Sequence, residues 1–508
     1  NCFKQMEIEG VTPDDITWIC VLQACGNSRD IGKGSEIHAT IERKMLLDDN
    51  RVLATNLVDM YAKCGMLVKA YQVLYKLSSP DAASWNVLIS GYVQYEYNEE
   101  ALDSSDLMQS LGILPNDATF ACTLKACCNL HDMARAQEIH AEIARRGVLN
   151  SSEVVGNALL NVYAKCSSFS KAKEVFGMLA VKSTISWNAL ISGCVANECE
   201  EEALCCFEEM QVKGVSPDDI TTTCILKACG SMGIVEKGKH IHSETKNKGS
   251  IENNLMVGTA LIDMYAKYGI LTEAQQVFDK LSVRNVVLWT ALIAAYADYG
   301  DGHDALKCFN KMQLEGFLPN YVTFICCLKA CSSTENLVKG REIHVMIAMQ
   351  GLFYENIVIG NSLVDMYSKC GSLANAQRAF VKLGVRDSIT WDALMTGYAQ
   401  MGKFQDVLYV FESMNAYGHR PSTISFVGVL NACSHAGLLE EGQKVFAHMS
   451  SVYAILPSLE HYTCVVDLFS RAGQLHRSAI LCGCMCSSGQ LSLLLALLSA
   501  CQKWRHVE

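Results

Sequence analysis

The chain has 508 residues, of which 50% are hydrophobic, 19% are charged and seven are proline, a composition that excludes an intrinsically disordered or low-complexity protein. The net charge of −11 argues against a diffuse electrostatic attraction to nucleic acid, so any such binding must come from local patches and base contacts. No apolar run approaches the roughly 20 residues that a membrane-spanning helix needs.

Tandem repeats dominate the sequence. Tryptophan recurs every 102 residues, and proline, tyrosine, cysteine and histidine form columns with the same spacing. The members of the columns are Trp85, Trp187, Trp289 and Trp391; Pro13, Pro115, Pro217, Pro319 and Pro421; Tyr61, Tyr163, Tyr265 and Tyr367; Cys25, Cys127, Cys229, Cys331 and Cys433; and His38, His140, His242 and His344. Five residue types cannot share one spacing by chance, so the chain is a tandem array.

In chain order, residues 1–14 align with residues 205–218, so the chain starts inside the second helix of a partial repeat. The array occupies residues 15–489, where units of 36, 31 and 35 residues rotate; one turn of the rotation is 51–81 with 31 residues, 82–116 with 35 and 117–152 with 36. Each unit carries two apolar stripes at helical spacing around a polar break, which predicts two helices and a short loop. Glycine marks the expected end of the first helix at Gly65, Gly269, Gly371 and Gly473. Since one hairpin cannot bury its own apolar face, the predicted fold class is all-α, a solenoid of stacked helix-turn-helix repeats.

The end of the chain departs from this pattern. Residues 459–475 match another short unit, residues 478–494 do not, and residues 490–508 are interpreted as the start of a C-terminal extension, truncated or degraded. Cys482, Cys484 and Cys486 have a CxCxC spacing, a weak zinc half-site because no second pair follows. No CxxC occurs among the 25 cysteines, so we expect most of them to be small buried packing residues in a reducing compartment, with no metal and no cofactor.

Repeats of 31, 35 and 36 residues in strict rotation resemble those of the plant pentatricopeptide repeat proteins, and in particular their PLS subclass. The matching phrases are ISWNALISG at 185–193, ILKACG at 225–230, LIDMYAKYG at 261–269 and EEGQKVFAHM at 440–449. The resemblance covers residues 1 to about 477 and implies a right-handed superhelical solenoid that binds single-stranded organellar RNA.

The same resemblance implies a role in C-to-U editing in a mitochondrion or a chloroplast. A deaminase or another editing-complex protein would then act in trans, so we expect no catalytic residue and no enzyme activity in this chain. Because the chain opens on Asn1 without a leader, we expect any targeting peptide to lie outside it.

In that family the fifth and the last residue of a repeat contact the edge of one base. We call these two residues of a 31- or 35-residue unit a recognition pair. The predicted pairs are Thr55/Asp81, Asn86/Asn116, Asn157/Ser183, Asn188/Asp218, Thr259/Asn285, Thr290/Asn320 and Asn361/Asp387. Asn offers a donor and an acceptor, and Thr a rotatable hydroxyl, so both suit a Watson–Crick edge. Apolar second residues would contact the faces of the bases: Val52, Val154, Ile185, Met256, Val287 and Val358.

A capping interpretation stays open beside this one, because Asp, Asn and Ser just before a helix are common N-caps. Capping accounts for the last residue of each unit. It accounts poorly for the fifth residue, since Asn and Thr are mediocre helix formers. The 36-residue units carry a mostly apolar fifth residue and are expected to space the pairs: Ile19, Ala121, Thr223, Ile325 and Val427.

Other repeated residues have ordinary interpretations. His140-Ala-Glu142 and His242-Ser-Glu244 match the HxE half of a zinc deaminase, but the PCxxC half is absent and the histidines are periodic, which favours a structural role. The tryptophans are expected in the core, and Lys63, Lys165, Lys267 and Lys369 either contact phosphates or are solvated. A protein-scaffolding solenoid and a nonfunctional remnant of an editing factor are the alternative functions.

Overall fold

The computed structural model of the protein describes residues 2–44, 46, 50–77, 80–247, 254–299, 302–474 and 476–478. Across these residues every regular element is a helix, which confirms the predicted all-α fold class. The chain forms two compact units, Asn1–Ile241 and His242–Glu508. The CxCxC cysteines, most of the divergent segment 478–494 and the proposed extension 490–508 lie outside the described residues.

In the first unit a short helix, α1 (Cys2–Ile8), precedes a series of hairpins. Their helices are α2 (Asp15–Ser28), α3 (Ile31–Arg43), α4 (Arg51–Lys63), α5 (Leu67–Lys76), α6 (Ala82–Gln94), α7 (Asn98–Ser110), α8 (Asp117–Leu130), α9 (Met133–Arg145), α10 (Glu153–Lys165), α11 (Phe169–Met178), α12 (Thr184–Ala196), α13 (Glu200–Val212) and α14 (Asp219–Met232). A 3₁₀ turn at Val148–Asn150 follows α9, and α15 (Val235–Asn247) contains the boundary between the units.

The second unit continues the series in the same way. Its helices are α16 (Leu255–Lys267), α17 (Leu271–Lys280), α18 (Val286–Tyr299), α19 (Gly302–Leu314), α20 (Tyr321–Ser333), α21 (Leu337–Met349), α22 (Leu352–Glu355), α23 (Ile357–Lys369), α24 (Leu373–Lys382), α25 (Ser388–Gln400), α26 (Phe404–Ala416), α27 (Thr423–Ala436), α28 (Leu439–Ser451) and α29 (Leu459–Arg471). The first helix of each hairpin begins at the residue that opens the sequence repeat.

The first helices form a continuous layer within each unit. In the first unit α10 packs against α8 and α12 as well as its own hairpin partner α11, and in the second unit α23 packs against α20, α25 and α24. Glycine stands at a position of close approach in this layer in three periods, and Ala295 stands there in the fourth. A Cβ at Gly193 of α12 would lie 2.3 Å from the Cβ of Ala164 in α10, and Gly91 and Gly397 meet their neighbours similarly.

Glycine in the left-handed region ends the first helix, as the sequence predicted. The φ angles are +76° at Gly65, +70° at Gly269, +70° at Gly371 and +75° at Gly473. The period that lacks this glycine has Ser167 there, with a φ of +56°. The chain conformation is therefore kept even where the side chain makes it less favourable.

The core contains the tryptophan column and all five cysteines of the cysteine column. Trp187 is fully buried and meets Phe176 edge to face at 4.5 Å, an arrangement repeated for Trp289 with Phe278. The core assignment of the tryptophans is therefore confirmed. Burial raises the pKa of Cys127 to about 12, as expected for a packing thiol. Among the described residues, two cysteines outside this column face solvent, Cys20 and Cys205.

Histidine and tyrosine of the two remaining columns bond to each other. Each histidine Nδ1 lies within hydrogen-bond distance of a tyrosine Oη: His38–Tyr61 at 2.9 Å, His140–Tyr163 at 2.8 Å, His242–Tyr265 at 2.7 Å and His344–Tyr367 at 2.8 Å. Burial lowers the pKa of all four imidazoles. One period further on, both partners change together to Phe446 and Phe469, which belong to one apolar cluster. The structural interpretation of the histidine column is confirmed.

Candidate nucleic-acid interface

Each recognition pair is shared between two successive first helices. In the unit 184–218, Asn188 lies in the second turn of α12 and Asp218 is the N-cap of α14. Because α12 and α14 pack side by side, the two side chains meet although they lie 30 residues apart. The first helix of one repeat and the cap of the next thus build one small polar site.

Asn188 and Asp218 share this site with a third side chain, Thr221. The Asn188 amide nitrogen donates to Asp218 Oδ2 at 2.8 Å, and the Thr221 hydroxyl donates to Asn188 Oδ1 at 2.5 Å. The backbone N–H of Thr221 donates to Asp218 Oδ1 at 2.9 Å. Since a carboxylate can only accept, the amide nitrogen must face Asp218 and the amide oxygen must face Thr221. One amide hydrogen and the other carboxylate lone pairs are left for an external partner.

The other asparagine pairs repeat much of this arrangement. The amide nitrogen donates to the last residue of the unit from Asn86 to Asn116 at 2.9 Å and from Asn361 to Asp387 at 3.1 and 3.2 Å. A hydroxyl donates to the amide oxygen from Thr119 to Asn86 at 2.6 Å, from Ser186 to Asn157 at 2.7 Å and from Thr390 to Asn361 at 2.5 Å. These hydroxyls were not singled out from the sequence, although a serine or threonine three residues after each of these asparagine units was visible in it.

The threonine pairs are held differently. Each threonine hydroxyl donates to the carbonyl four residues earlier in its own helix: Thr55 to Arg51 at 3.0 Å, Thr259 to Leu255 at 2.7 Å and Thr290 to Val286 at 2.7 Å. With its hydrogen used in this way, the threonine oxygen is an acceptor toward any other group. Asparagine and threonine pairs therefore present opposite polarity at their fifth residue.

The last residues of the units are N-caps, which confirms the capping interpretation of that column. Backbone N–H groups donate to Asp81, Asn116, Ser183, Asp218, Asn285, Asn320, Asp387 and Ser422. Capping uses one side of each group only. It does not account for the hydrogen bonds that join four of these caps, Asn116, Asp218, Asp387 and Ser422, to the fifth residue of their own unit.

Burial divides the predicted contact residues into two sets. Asn157, Asn188 and Asn361 are each only 8% exposed, so an external partner could reach only their outer edge. The apolar second residues are the opposite, with Ile185 at 63% and Val52 at 59% exposed, and Val154, Met256, Val287 and Val358 are also exposed. In six of the seven recognition pairs an exposed apolar side chain therefore lies three residues before the fifth residue, on the same side of the helix.

The pKa values of the carboxylates at these sites are shifted in different directions. Burial opposes ionisation of Asp218, but hydrogen bonds from Thr221 and Asn188 outweigh it and lower the pKa. Asp392, a fifth residue, behaves oppositely because its burial raises its pKa despite hydrogen bonds from Ser422 and Ser425. Its unit, 388–422, is thus chemically unlike the others.

Comparison with known families identifies the repeats. Profiles described as PPR repeat family match residues 80–129, 182–231 and 284–333, a pentatricopeptide repeat domain profile matches residues 375–436, and a PPR repeat profile matches residues 52–79, 157–182, 259–286 and 424–451. The chain belongs to the pentatricopeptide repeat family.

Relatives and solved structures agree with this assignment. The chain is 34% identical over 91% of its length to the Arabidopsis thaliana pentatricopeptide repeat-containing protein At5g27110, of which it covers 66%, and 31% identical over 92% of its length to At2g03380, mitochondrial, of which it covers 68%. It covers 46% of a third, At3g09040, mitochondrial. The crystal structure of maize PPR10 in complex with an 18-nt psaJ RNA element matches with a TM-score of 0.65 and 21% identity over 94% of this chain and 75% of that one, which shows a common fold.

Two of the four periodic lysines of this pentatricopeptide repeat protein form ion pairs within their own helices. Lys63 pairs with Asp59 at 2.7 Å and Lys369 with Asp365 at 2.8 Å, each one turn earlier in the same helix. Such exposed pairs favour the solvated interpretation over a dedicated phosphate contact at these two positions. Within the described residues no helix is long and apolar enough to span a membrane, and no group of three or more potential ligands gathers to hold a metal.

Proposed function

We propose that the chain binds single-stranded RNA in a sequence-dependent way, with one nucleotide at each recognition pair. The observation that carries the proposal is the repeated combination of an exposed aliphatic side chain with a polar pair of fixed donor and acceptor orientation. A base could lie on the aliphatic group and present its Watson–Crick edge to the pair. The structure of the maize relative with an 18-nt RNA element supports this function for the fold.

Base preference follows from the polarity of each pair. At Asn188 and Asp218 the outward groups are an amide hydrogen and a carboxylate. Uracil complements them with a carbonyl oxygen and N3–H, whereas the N3 of cytosine carries no hydrogen and would face the carboxylate. The pair therefore prefers uracil, as the pairing rule of the family implies.

The pair Thr290 and Asn320 has the reverse polarity. Asn320 Oδ1 accepts from the backbone N–H of Thr323 at 2.9 Å, so its amide hydrogens face outward, while Thr290 Oγ1 is an acceptor. Adenine offers N6–H to the threonine oxygen and N1 to the amide, and this pair therefore prefers adenine. The pairing rules of the family assign G to Thr with Asp, A to Thr with Asn, U to Asn with Asp, C to Asn with Ser and a pyrimidine to Asn with Asn. Applied from Thr55/Asp81 to Asn361/Asp387, with a gap at each 36-residue unit, these rules predict the 5′ to 3′ string G, pyrimidine, any, C, U, any, A, A, any, U.

The finer functional assignment rests on repeat architecture. Rotation of 36-, 31- and 35-residue units along 15–489, after a partial repeat at 1–14, supports the PLS subclass and site recognition for C-to-U editing. The deaminase would be supplied by a partner in trans. Two relatives named mitochondrial support an organellar location, with chloroplast as the other candidate.

The proposal is tested by fluorescence anisotropy with two labelled RNAs of equal composition, one carrying the predicted string and one a permutation of it. We expect the predicted string to bind at least about tenfold more tightly, on the roughly 1–3 kcal/mol scale of a base-edge contact. Equal affinity for both RNAs, with the protein folded by circular dichroism, would reject sequence-dependent binding. Absence of RNA binding would favour a protein-scaffolding solenoid.

A further inference from the structure

A buried hydroxyl lies beneath every asparagine of the recognition pairs. It belongs to the third residue of the following unit, and its partners are Thr119 with Asn86, Ser186 with Asn157, Thr221 with Asn188 and Thr390 with Asn361. All four hydroxyl-bearing residues have 0% exposure, so solvent does not compete for these bonds. The contact always joins two successive first helices.

The distribution of this hydroxyl along the sequence follows the recognition pairs. After units of 31 or 35 residues the third residue is Ser84, Thr119, Ser186, Thr221, Leu288, Thr323, Thr390 or Ser425. After the 36-residue units, whose fifth residue is mostly apolar, the third residue is Leu53, Val155, Val257, Ile359 or His461. Hydroxyls therefore accompany polar fifth residues and are absent beneath apolar ones.

Helix capping does not explain this distribution. A hydroxyl at the third position does complete a capping box with Asn116, Asp218, Asn320 and Asp387. The helices that follow 36-residue units are nevertheless capped, since Asn50 accepts from Leu53 N at 3.0 Å and Asn254 accepts from Val257 N at 3.2 Å. Their third residues are Leu and Val, so a good cap in this chain needs no hydroxyl there.

Two polar fifth residues have no hydroxyl at the third position of the next unit, and both are consistent with a role in orienting asparagine. Leu288 follows the unit of Thr259, and Val257 follows the unit of Thr223, so both lack a hydroxyl after a polar fifth residue. In both cases the fifth residue is threonine, whose hydroxyl donates within its own helix, to Asp219 O at 2.7 Å from Thr223 and to Leu255 O at 2.7 Å from Thr259. A threonine fixes its own orientation, whereas an asparagine amide needs a donor for its buried oxygen.

We propose that the hydroxyl at the third position of the next repeat is a positioning residue for base discrimination. By donating to the amide oxygen it holds the asparagine so that the second amide hydrogen faces the bound base. Without it, the buried oxygen loses its partner, and the amide turns to find another one. The specificity of one repeat is thus determined by three residues, one of which lies in the first helix of the following repeat. This inference rests on the proposed RNA binding.

The test uses Thr221→Val, which removes the hydroxyl and keeps the β-branched shape, and Thr221→Ser, which restores a hydroxyl. Affinity is measured for two RNAs that differ only in U or C at the nucleotide facing Asn188 and Asp218. We expect the wild type to prefer U by about tenfold or more. Thr221→Val should reduce this preference to about threefold or less, because Asp218 still attracts the amide nitrogen, and Thr221→Ser should restore most of it.

Thr323→Val is the matched control. Thr323 is equally buried and belongs to an equivalent capping box, and its hydroxyl oxygen lies 2.7 Å from that of Thr290. The Thr290 hydroxyl is also held in its own helix by Val286 O at 2.7 Å, so its orientation does not depend on Thr323. In Thr323→Val, the preference for A at the nucleotide facing Thr290 and Asn320 should change by no more than about twofold. If Thr221→Val unfolds the protein, Thr390→Val beneath Asn361 provides the same comparison in the compact unit His242–Glu508.

The outcomes separate the two proposals. If the wild type does not distinguish U from C, the proposed base recognition fails. If the wild type distinguishes them and folded Thr221→Val or Thr390→Val does so equally well, the positioning role is wrong. An equal loss of discrimination in Thr323→Val would also overturn it, because capping would then be the cause.

Discussion

Exchanging one recognition pair for another found in the same chain should change which base is bound. Asn188→Thr combined with Asp218→Asn recreates the pair Thr290/Asn320 in the unit 184–218. The new hydroxyl can donate to the carbonyl of Thr184, as Thr290 does to Val286 at 2.7 Å. The new asparagine can still cap α14, as Asn320 caps α20. The outward polarity then changes from donor and carboxylate to acceptor and amide donor, which complements adenine.

The size of the change follows from the two contacts involved. A good base-edge contact is worth about 1–3 kcal/mol in the DNA case, so the preference should move from U toward A by roughly 5- to 150-fold. Stability should change little, because Asn and Asp are similar N-caps and one fewer acidic group at a helix start costs about 0.3–1 kcal/mol.

The assay is the affinity of the wild type and the double variant for RNAs that differ only at that nucleotide. The preference at the nucleotide facing Asn157 and Ser183 serves as an internal control and should be unchanged. Equal discrimination by both proteins would refute the reasoning, because these side chains would then be caps alone. If the double variant binds neither RNA, circular dichroism shows whether it has unfolded.

Four further predictions concern the remaining chemistry. His140→Phe or Tyr163→Phe alone should cost about 1–3 kcal/mol by leaving a buried polar group unpaired, whereas the double variant, which copies Phe446/Phe469, should cost less than their sum in urea denaturation. Because burial lowers the pKa of His140, the unfolded state binds more protons below about pH 6.5, so the free energy of unfolding should fall with decreasing pH there, and less so in the double variant. The purified chain should not deaminate cytidine, since no PCxxC accompanies His140-Ala-Glu142, and zinc-dependent turnover would contradict this. On a plot of log affinity for RNA against log salt concentration, the slope should be shallower than about −0.7 for each phosphate in the binding site, because the net charge of −11 opposes neutralisation of every phosphate.

Much of the fold could be predicted because the repeat spacing and a few conformationally restricted residues show where each helix lies. The spacing of Trp85 and its equivalents gives the period, and glycine at positions such as Gly65 marks helix ends through its left-handed conformation. The capping role of residues such as Asp218 also follows from local sequence, since a cap contacts only its own helix.

The construction of the polar sites could not be predicted in the same way. Asn188 meets Thr221 across 33 residues, and no pattern within one unit shows that these positions face each other. Its burial also depends on how closely α12 and α14 pack, which hydrophobic periodicity does not specify. The joint replacement of His and Tyr by Phe446 and Phe469 is likewise a sign that these two positions contact each other across repeats, but it can be recognised only once the contact is known.

The central claim, that each recognition pair contacts one base, is tested most directly by unbiased selection from a random RNA pool. The purified chain is incubated with the pool, and bound RNA is sequenced. The predicted result is enrichment of G, pyrimidine, any, C, U, any, A, A, any, U, with the unconstrained positions facing the 36-residue units. Enrichment of an unrelated motif, or of none, would contradict the assignment of the pairs.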